Sequence, residues 1–273
     1  MTLIKRNRPH LIANHFASAA FFLYGVLSVA LLYLTVKHGD IFMYLAVIAC
    51  MLECHGYYYI TYFSDIDSRY LSTADISIYL HFPIAKLLIT FINYNVIGRL
   101  LRASGRTRCV SFLLQFFCVL NIIIHPFIGF LMSFSDVVDS FDRWFVANIL
   151  LSQLLMKNIP FAFTLCTVAF SKKFEMWEIP ELRKTFYCLF SSTGLIFLGD
   201  VYLILQYYDY YGSYVTTNEA PFIILEMTTM LICFTLFTVF HYGKVTPIEF
   251  LRGYSRSSLL GITGEEYRRL PYP

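Results

Sequence analysis

The sequence predicts an all-α membrane protein, built as a bundle of seven transmembrane helices. Two observations lead to this fold class. Of the 273 residues, 58% are hydrophobic and 14% are charged, against about 45–50% and about 25% in soluble globular domains. The apolar residues also gather into seven long stretches. Each has about the 20 residues that a helix needs to cross a hydrocarbon core about 30 Å thick.

This composition excludes several classes of protein. So few charged side chains cannot cover the surface of a water-soluble enzyme, and a disordered chain is far less apolar. The net charge of +3 is too small for a surface that follows nucleic-acid phosphates. The seven cysteines have neither metal-ligand spacing nor the pattern of a disulfide framework. We therefore expect no nucleic-acid partner, no cofactor and no bound metal ion.

The seven stretches are predicted as helices because a backbone in hydrocarbon must satisfy its N–H and C=O groups internally. The first is not expected to be a cleavable signal peptide, because its apolar core is long and no small-residue cleavage site is followed by a soluble domain. The linker 37–40 is so short that the first two helices must be antiparallel. The third, fourth and fifth stretches each contain a proline, which bends a helix. In chain order the seven cover 15–36, 41–63, 77–98, 109–132, 144–170, 186–208 and 221–242.

The lysines and arginines outside these stretches predict the orientation. Loops on one side of the membrane, together with the amino terminus, carry five of them, and the other side carries fourteen. Because basic loops stay in the cytosol, we expect the amino terminus outside and the carboxyl terminus inside. The predicted regions are an extracellular segment 1–14, a seven-helix transmembrane domain 15–242 and a cytosolic tail 243–273.

Tyrosines cluster near the predicted outer ends of the second and sixth stretches. Tyrosine is enriched where a helix leaves the membrane, because its ring is apolar and its hydroxyl is polar. We therefore interpret these residues as an interfacial belt. They are Tyr57, Tyr58, Tyr59, Tyr207, Tyr208, Tyr210 and Tyr211.

Five ionisable residues fall inside the stretches, where each is costly unless it is paired or hydrated. Glu53, Lys86 and Lys157 are predicted near the midplane, and Asp200 and Glu226 in the outer half. One interpretation is a structural ion-pair network, in which Glu53 meets Lys86 or Lys157. The other is a polar cavity that accepts a head group or a proton. The candidate substrate-binding residues are therefore Glu53, Lys86, His125, Lys157, Asp200 and Glu226.

Several catalytic and energy-coupling motifs are absent from the sequence. There is no phosphate-binding loop of the Gly-x-x-x-x-Gly-Lys-Ser/Thr type and no zinc-hydrolase or serine-hydrolase motif. Four histidines could contribute to a zinc site, but single packing or interface roles are the expected ones: His55, His81, His125 and His241. We therefore expect no enzyme activity and no ATPase in this chain.

Three stretches resemble the fungal lipid-translocating exporter family, the aminocholesterol-resistance-like seven-helix proteins. LECHGY at 52–57 is similar to a Leu-Glu-x-x-Gly-Tyr motif, and YNVIGRLL at 94–101 to Tyr-x-x-x-Gly-Arg followed by two apolar residues. The segment 219–243 has the family's two acidic residues seven apart, its Met and a closing His-x-Gly, with Tyr242 in place of Pro. The residues that match are Gly56, Tyr57, Tyr94, Gly98, Arg99, Glu219, Met230, His241 and Gly243.

The resemblance implies a plasma-membrane or endomembrane protein that exports sphingoid bases, sterol-like compounds or phospholipids, with a role in drug or stress resistance. The partners would then be membrane lipids or amphiphilic small molecules. Acidic groups suit a cationic head group, whereas Lys86 and Lys157 in a cavity suit an anionic one, and the sequence leaves both open. The alternative function is a seven-helix lipid sensor or receptor that signals through its basic cytosolic loops.

Overall fold

The computed structural model describes residues 14–63, 81–103, 116, 120, 140–170, 177, 180–208 and 219–242. Every regular element within these ranges is a helix, and none is a strand. The all-α prediction is therefore confirmed for the described part of the chain.

Six long helices form the described bundle, and their bounds differ from the predicted ones by a few residues. The last, α6, begins α-helical at Glu219–Phe222, turns as a π-helix over Ile223–Thr228 and ends as an α-helix at Thr229–Val239. The others are α1 (Asn14–His38), α2 (Met43–Phe63), α3 (Phe82–Ala103), α4 (Ser140–Phe170) and α5 (Pro180–Tyr208).

These helices correspond to six of the seven predicted stretches. Most of the fourth, 109–132, lies outside the described residues, and within it Phe116 and Leu120 are helical. The third prediction ends too early, because α3 continues to Ala103 and includes Arg99. Lys86 lies in the second described turn of α3.

Four of the described helices are long and apolar enough to cross a membrane: α1, α3, α5 and α6. Two other helices carry an ionisable residue inside the bundle. Glu53 and a run of tyrosines lie in α2, and Lys157 with its polar neighbours lies in α4. Polar residues in a membrane helix are expected to face other helices. We therefore expect a site beside Glu53 of α2 or Lys157 of α4.

The helix α3 lies at the centre of the described bundle, and α1 lies at its edge. In the apolar part of α3, 78% of the residues are buried, against 28% in α1. The linker after α1 turns at Gly39, whose φ of 66° favours glycine, and α2 then packs along α1. The outer face of α1 carries exposed apolar side chains such as Val26 and Val29, as expected of a surface in contact with lipid.

Candidate functional site

A lysine–carboxylate pair lies buried where α3 meets α6. The Nζ atom of Lys86 donates to Oε2 of Glu226 at 2.5 Å, and both side chains are almost completely enclosed. Lys86 stands on the same face of α3 as Thr90 and Asn93, because residues three and four apart lie one above the other on a helix. This polar face is buried, so Lys86 points into the bundle and away from lipid.

The π-helical turn holds Glu226 in position. A π-turn accommodates one more residue than an α-turn, and such turns are frequent at functional sites. The side-chain hydroxyl of Thr228 donates to the carbonyl of Ile223, five residues earlier, at 2.7 Å. The hydroxyl of Tyr24 on α1 donates to the carbonyl of Met227 at 2.8 Å. The turn is therefore tied to a second helix, and no feature of the sequence had indicated it.

A glycine in α5 makes room for the ion pair. A Cβ atom on Gly199 would lie 2.9 Å from Nζ of Lys86 and 3.4 Å from Oε2 of Glu226. Any larger residue there would press on the paired charges. No local pattern in the sequence points to Gly199, because its role depends on a helix that lies more than 100 residues away along the chain.

Glu53 on α2 is fully buried beside this pair, with an exposed fraction of 0%. Neither of its carboxyl oxygens has a hydrogen-bond partner among the residues that the structure describes. Its carboxyl interacts electrostatically with Glu226 and Lys86. The predicted pairing of Glu53 with Lys86 or Lys157 is wrong, because each lysine has a closer carboxylate from another helix.

A second lysine–carboxylate pair joins α4 to α5. Nζ of Lys157 donates to Oδ2 of Asp200 at 2.5 Å, and the side chains retain 6% and 13% exposure. The amide of Asn158 lies 3.5 Å from the same oxygen. Tyr94 on α3 donates its hydroxyl to the carbonyl of Lys157. Four of the five predicted ionisable residues thus form two separate pairs. The fifth, Glu53, has no hydrogen-bond partner in the described helices.

A third polar contact lies at the other end of α3, in the linker between α1 and α2. Arg99 donates to both oxygens of Asp40 at 2.9 Å each, and Asp40 also accepts from the backbone N–H of Phe42 at 3.1 Å. Burial raises the pKa of the Asp40 carboxyl, but the hydrogen bonds and positive charge of Arg99 outweigh burial and leave that pKa below its ordinary value. Asp40 is not among the residues predicted from the sequence. Its position beside Gly39, in a linker of only four residues, could have indicated a structural role.

Of the candidate histidines, two lie together. Nδ1 of His55 is 3.2 Å from Nε2 of His81, and the side chain of His241 is buried with Nε2 3.3 Å from Oγ1 of Thr35. His125 lies outside the described residues. Within the described ranges, no three His, Cys, Asp or Glu side chains lie close enough together to hold a metal ion.

The residues of the motif at 52–57 pack helices against each other. A Cβ atom on Gly56 would lie 2.6 Å from the Phe82 ring, so glycine permits the close approach of α2 and α3. Tyr57 is buried and stacks on Tyr24, with the ring centroids 5.4 Å apart. Its prediction as an interfacial tyrosine is therefore wrong, because its ring faces α1 instead of the membrane surface.

The remaining described motif residues lie in α3 and α6. Met230 is fully buried in the core. Tyr242, which stands where the family pattern has Pro, donates to Oδ1 of Asn93 at 3.0 Å. Glu219 begins α6, Gly98 lies within α3, and Gly243 lies outside the described residues.

The cluster of Glu53, Lys86 and Glu226 differs chemically from a simple salt bridge. It places two carboxyls beside one ammonium in the interior of a bundle of apolar helices. Such a group can hold one further positive charge, either a proton or the cationic end of a ligand. We therefore take these three residues as the candidate site, with Lys157 and Asp200 as a neighbouring pair.

Comparisons with known proteins identify the family. The family described as RTA1 like protein matches residues 46–249, a segment that runs from α2 past the end of α6. No curated protein matches the chain. No solved structure matches it either. Because the matching segment is most of the chain and several of its helices can cross a membrane, this integral membrane protein belongs to the RTA1-like family, the lipid-translocating exporter family that its motifs resemble.

Proposed function

We propose that this protein exports lipid-like amphiphiles across the membrane and that its substrates carry a cationic head group. The observation that carries the proposal is the unpartnered carboxyl of Glu53, enclosed beside the Lys86–Glu226 pair in the described helices. A buried polar group without a partner costs free energy. A cationic ligand that pairs with this carboxyl would remove that cost and would therefore bind favourably.

The numbers of carboxyl and ammonium groups inside the described helices favour a cationic head group. Three carboxyls lie in the interior of the described helices, those of the buried Glu53 and Glu226 and that of the partly buried Asp200, together with two lysine ammonium groups, Lys86 and Lys157. Each ammonium is 2.5 Å from a carboxylate oxygen, so neither is free to attract an anion. The carboxyl that remains attracts a cation, which favours sphingoid bases over phospholipids with anionic head groups.

The proposed topology is the predicted one, with seven spans, the amino terminus outside and the carboxyl terminus in the cytosol. The excess of basic residues on the cytosolic side supports this orientation. The cationic head would reach Glu53 between the helices, while the hydrocarbon tail would lie against apolar side chains. A plasma-membrane location and a role in resistance to toxic amphiphiles fit this activity.

The chain would transport without an ATPase of its own and without acting as an enzyme. Its sequence contains no nucleotide-binding loop of the Gly-x-x-x-x-Gly-Lys-Ser/Thr type. The partners would be membrane lipids or amphiphilic small molecules. The energy for export would then come from a gradient.

The test is transport by the purified protein in liposomes. We expect the wild-type protein to move a labelled sphingoid base across the bilayer and to leave its N-acetylated, uncharged derivative in place. Glu53→Gln removes the acidic group at nearly constant volume and is expected to reduce transport of the base about tenfold, the loss of one charge-assisted contact.

The matched control is Glu53→Asp, which keeps a carboxyl on α2 and is expected to retain most of the transport. Equal transport of the charged base and its uncharged derivative would contradict the proposed substrate class. Transport that is unchanged in Glu53→Gln would place the substrate elsewhere and return Glu53 to a structural role.

A further inference from the structure

The carboxyl of Glu53 is enclosed in a way that determines its protonation. Its exposed fraction is 0% and neither oxygen has a hydrogen-bond partner in the described part of the chain. An ionised carboxylate in such a place carries a large uncompensated desolvation cost. The neutral acid avoids most of this cost, so Glu53 holds a proton when no head group is bound.

The described neighbours of Glu53 give its carboxylate no free positive charge. Among the described groups that interact with it electrostatically, Lys86 is the one base, and Lys86 is bound to Glu226. The others are two tyrosine hydroxyls and two cysteine thiols, which are neutral at pH 7, and the carboxylate of Glu226, which is negative. The interacting groups are Tyr24 on α1, Cys50 and Tyr57 on α2, Lys86 on α3, and Glu226 and Cys233 on α6.

We propose that Glu53 couples transport to a proton gradient by binding a proton and the cationic head group in turn. This inference rests on the proposed function and adds its source of energy. When the head group arrives, the proton leaves Glu53 to the solvent on that side, and the carboxylate holds the cation. When the head group leaves on the other side, a proton from that side returns to Glu53. One proton then crosses against each monovalent amphiphile, and no net charge moves.

The enclosure of the site supports this exchange. A carboxyl with no exposure cannot trade protons with either side until the helices part. A site that opens to one side at a time, and is occupied by either a proton or a head group, does not leak protons. The Lys86–Glu226 pair remains neutral as a unit through the cycle, so Glu53 alone changes its charge.

The experiment uses the full-length protein in liposomes and a labelled long-chain base with a trimethylated nitrogen. This probe keeps its charge at every pH, so it cannot follow a pH gradient by crossing as a neutral amine. Liposomes that are one pH unit more acidic inside are expected to accumulate the probe about tenfold, because a 1:1 exchange converts each pH unit into a tenfold concentration ratio. A dye inside the liposomes should report the loss of protons as the probe enters.

Two variants and a second measurement test the role of Glu53. Glu53→Gln is expected to abolish accumulation and proton loss, while Glu53→Asp keeps both. Glu53→Gln mimics the protonated acid and should fold like the wild type. Infrared spectroscopy of the empty protein should detect the C=O stretch of a protonated carboxylic acid, and Glu53→Gln should remove this band.

The outcomes separate the two proposals. Uptake of the probe that ignores the pH gradient would overturn the coupling and leave the proposed function standing. No uptake under any condition would overturn both. An infrared band that remains in Glu53→Gln would show that the proton is held by another group and would overturn the assignment to Glu53.

Discussion

The two buried lysines of this bundle have the same partner chemistry and different surroundings. Lys86 and Lys157 each lie 2.5 Å from a carboxylate oxygen. Beside the Lys86–Glu226 pair, however, stands a third acidic residue, Glu53, with no partner of its own in the described helices. Beside the Lys157–Asp200 pair stands the neutral amide of Asn158.

This difference indicates which charges hold the fold and which are available for function. A complete ion pair in the bundle interior fixes two helices and leaves little charge for a ligand. A pair with a spare carboxyl keeps its structural role and can also accept a proton or a cation. We therefore assign the structural role to the Lys157–Asp200 pair and the functional role to the Lys86–Glu226–Glu53 cluster.

The largest effect is expected from removing both carboxyls that surround Lys86. The double variant Glu53→Gln/Glu226→Gln leaves a fully buried lysine without a counter-charge, and we expect it to lose about 3–5 kcal/mol of unfolding free energy. Unfolding by SDS in mixed micelles measures this loss. Adding Lys86→Met should restore most of the stability. A double variant as stable as the wild type would mean that Lys86 has another partner.

A smaller loss is expected at the second pair, from Asp200→Asn. Lys157 then has no carboxylate beside it, but this pair is less enclosed, with 13% of the Asp200 side chain exposed. We expect about 2 kcal/mol, below the range for a fully buried pair. The same SDS titration measures it, and Lys157→Met in the Asp200→Asn background is the control. A loss larger than that of the double variant would reverse the comparison.

The single variant Glu226→Gln should cost less than either, under about 1 kcal/mol, because Glu53 can ionise and take its place beside Lys86. The infrared band of the protonated carboxylic acid should disappear at the same time. If the loss instead equals that of the double variant, Glu53 does not substitute for Glu226.

The smallest effect is expected from two glycines of α5, which provide a matched pair. A Cβ atom on Gly194 would have no neighbouring atom within 4 Å, whereas a Cβ atom on Gly199 would lie 2.9 Å from Nζ of Lys86. Alanine in a helix is favoured over glycine by about 1 kcal/mol, so Gly194→Ala should stabilise the protein by up to that amount in the same SDS titration. Gly199→Ala should lose this gain because it displaces the ion pair. Equal stabilities would mean that the pair shifts at no cost.

The sequence was a good guide to the helices and a poor guide to the partners within them. The five ionisable residues are predicted from their position in apolar stretches, and the structure places Glu53, Lys86, Lys157 and Glu226 among buried residues. The pairing of Glu53 with a lysine was predicted and is wrong. The contact of Arg99 with Asp40, 59 residues apart, was not predicted, because nothing in a local pattern relates a linker to the end of a later helix.

The sequence by itself determined the class of protein and the residues that needed explanation. An apolar stretch of about 20 residues has few alternatives to a membrane helix, since its backbone must satisfy its own hydrogen bonds in hydrocarbon. Helical periodicity, however, leaves the rotation of each helix and the choice of its neighbours free. Lys86 meets Glu226 across 140 residues and Lys157 meets Asp200 across 43. Only the tertiary structure decided these contacts, because the packing of α3 against α6 and of α4 against α5 sets which of the described charges neutralise each other and leaves Glu53 alone.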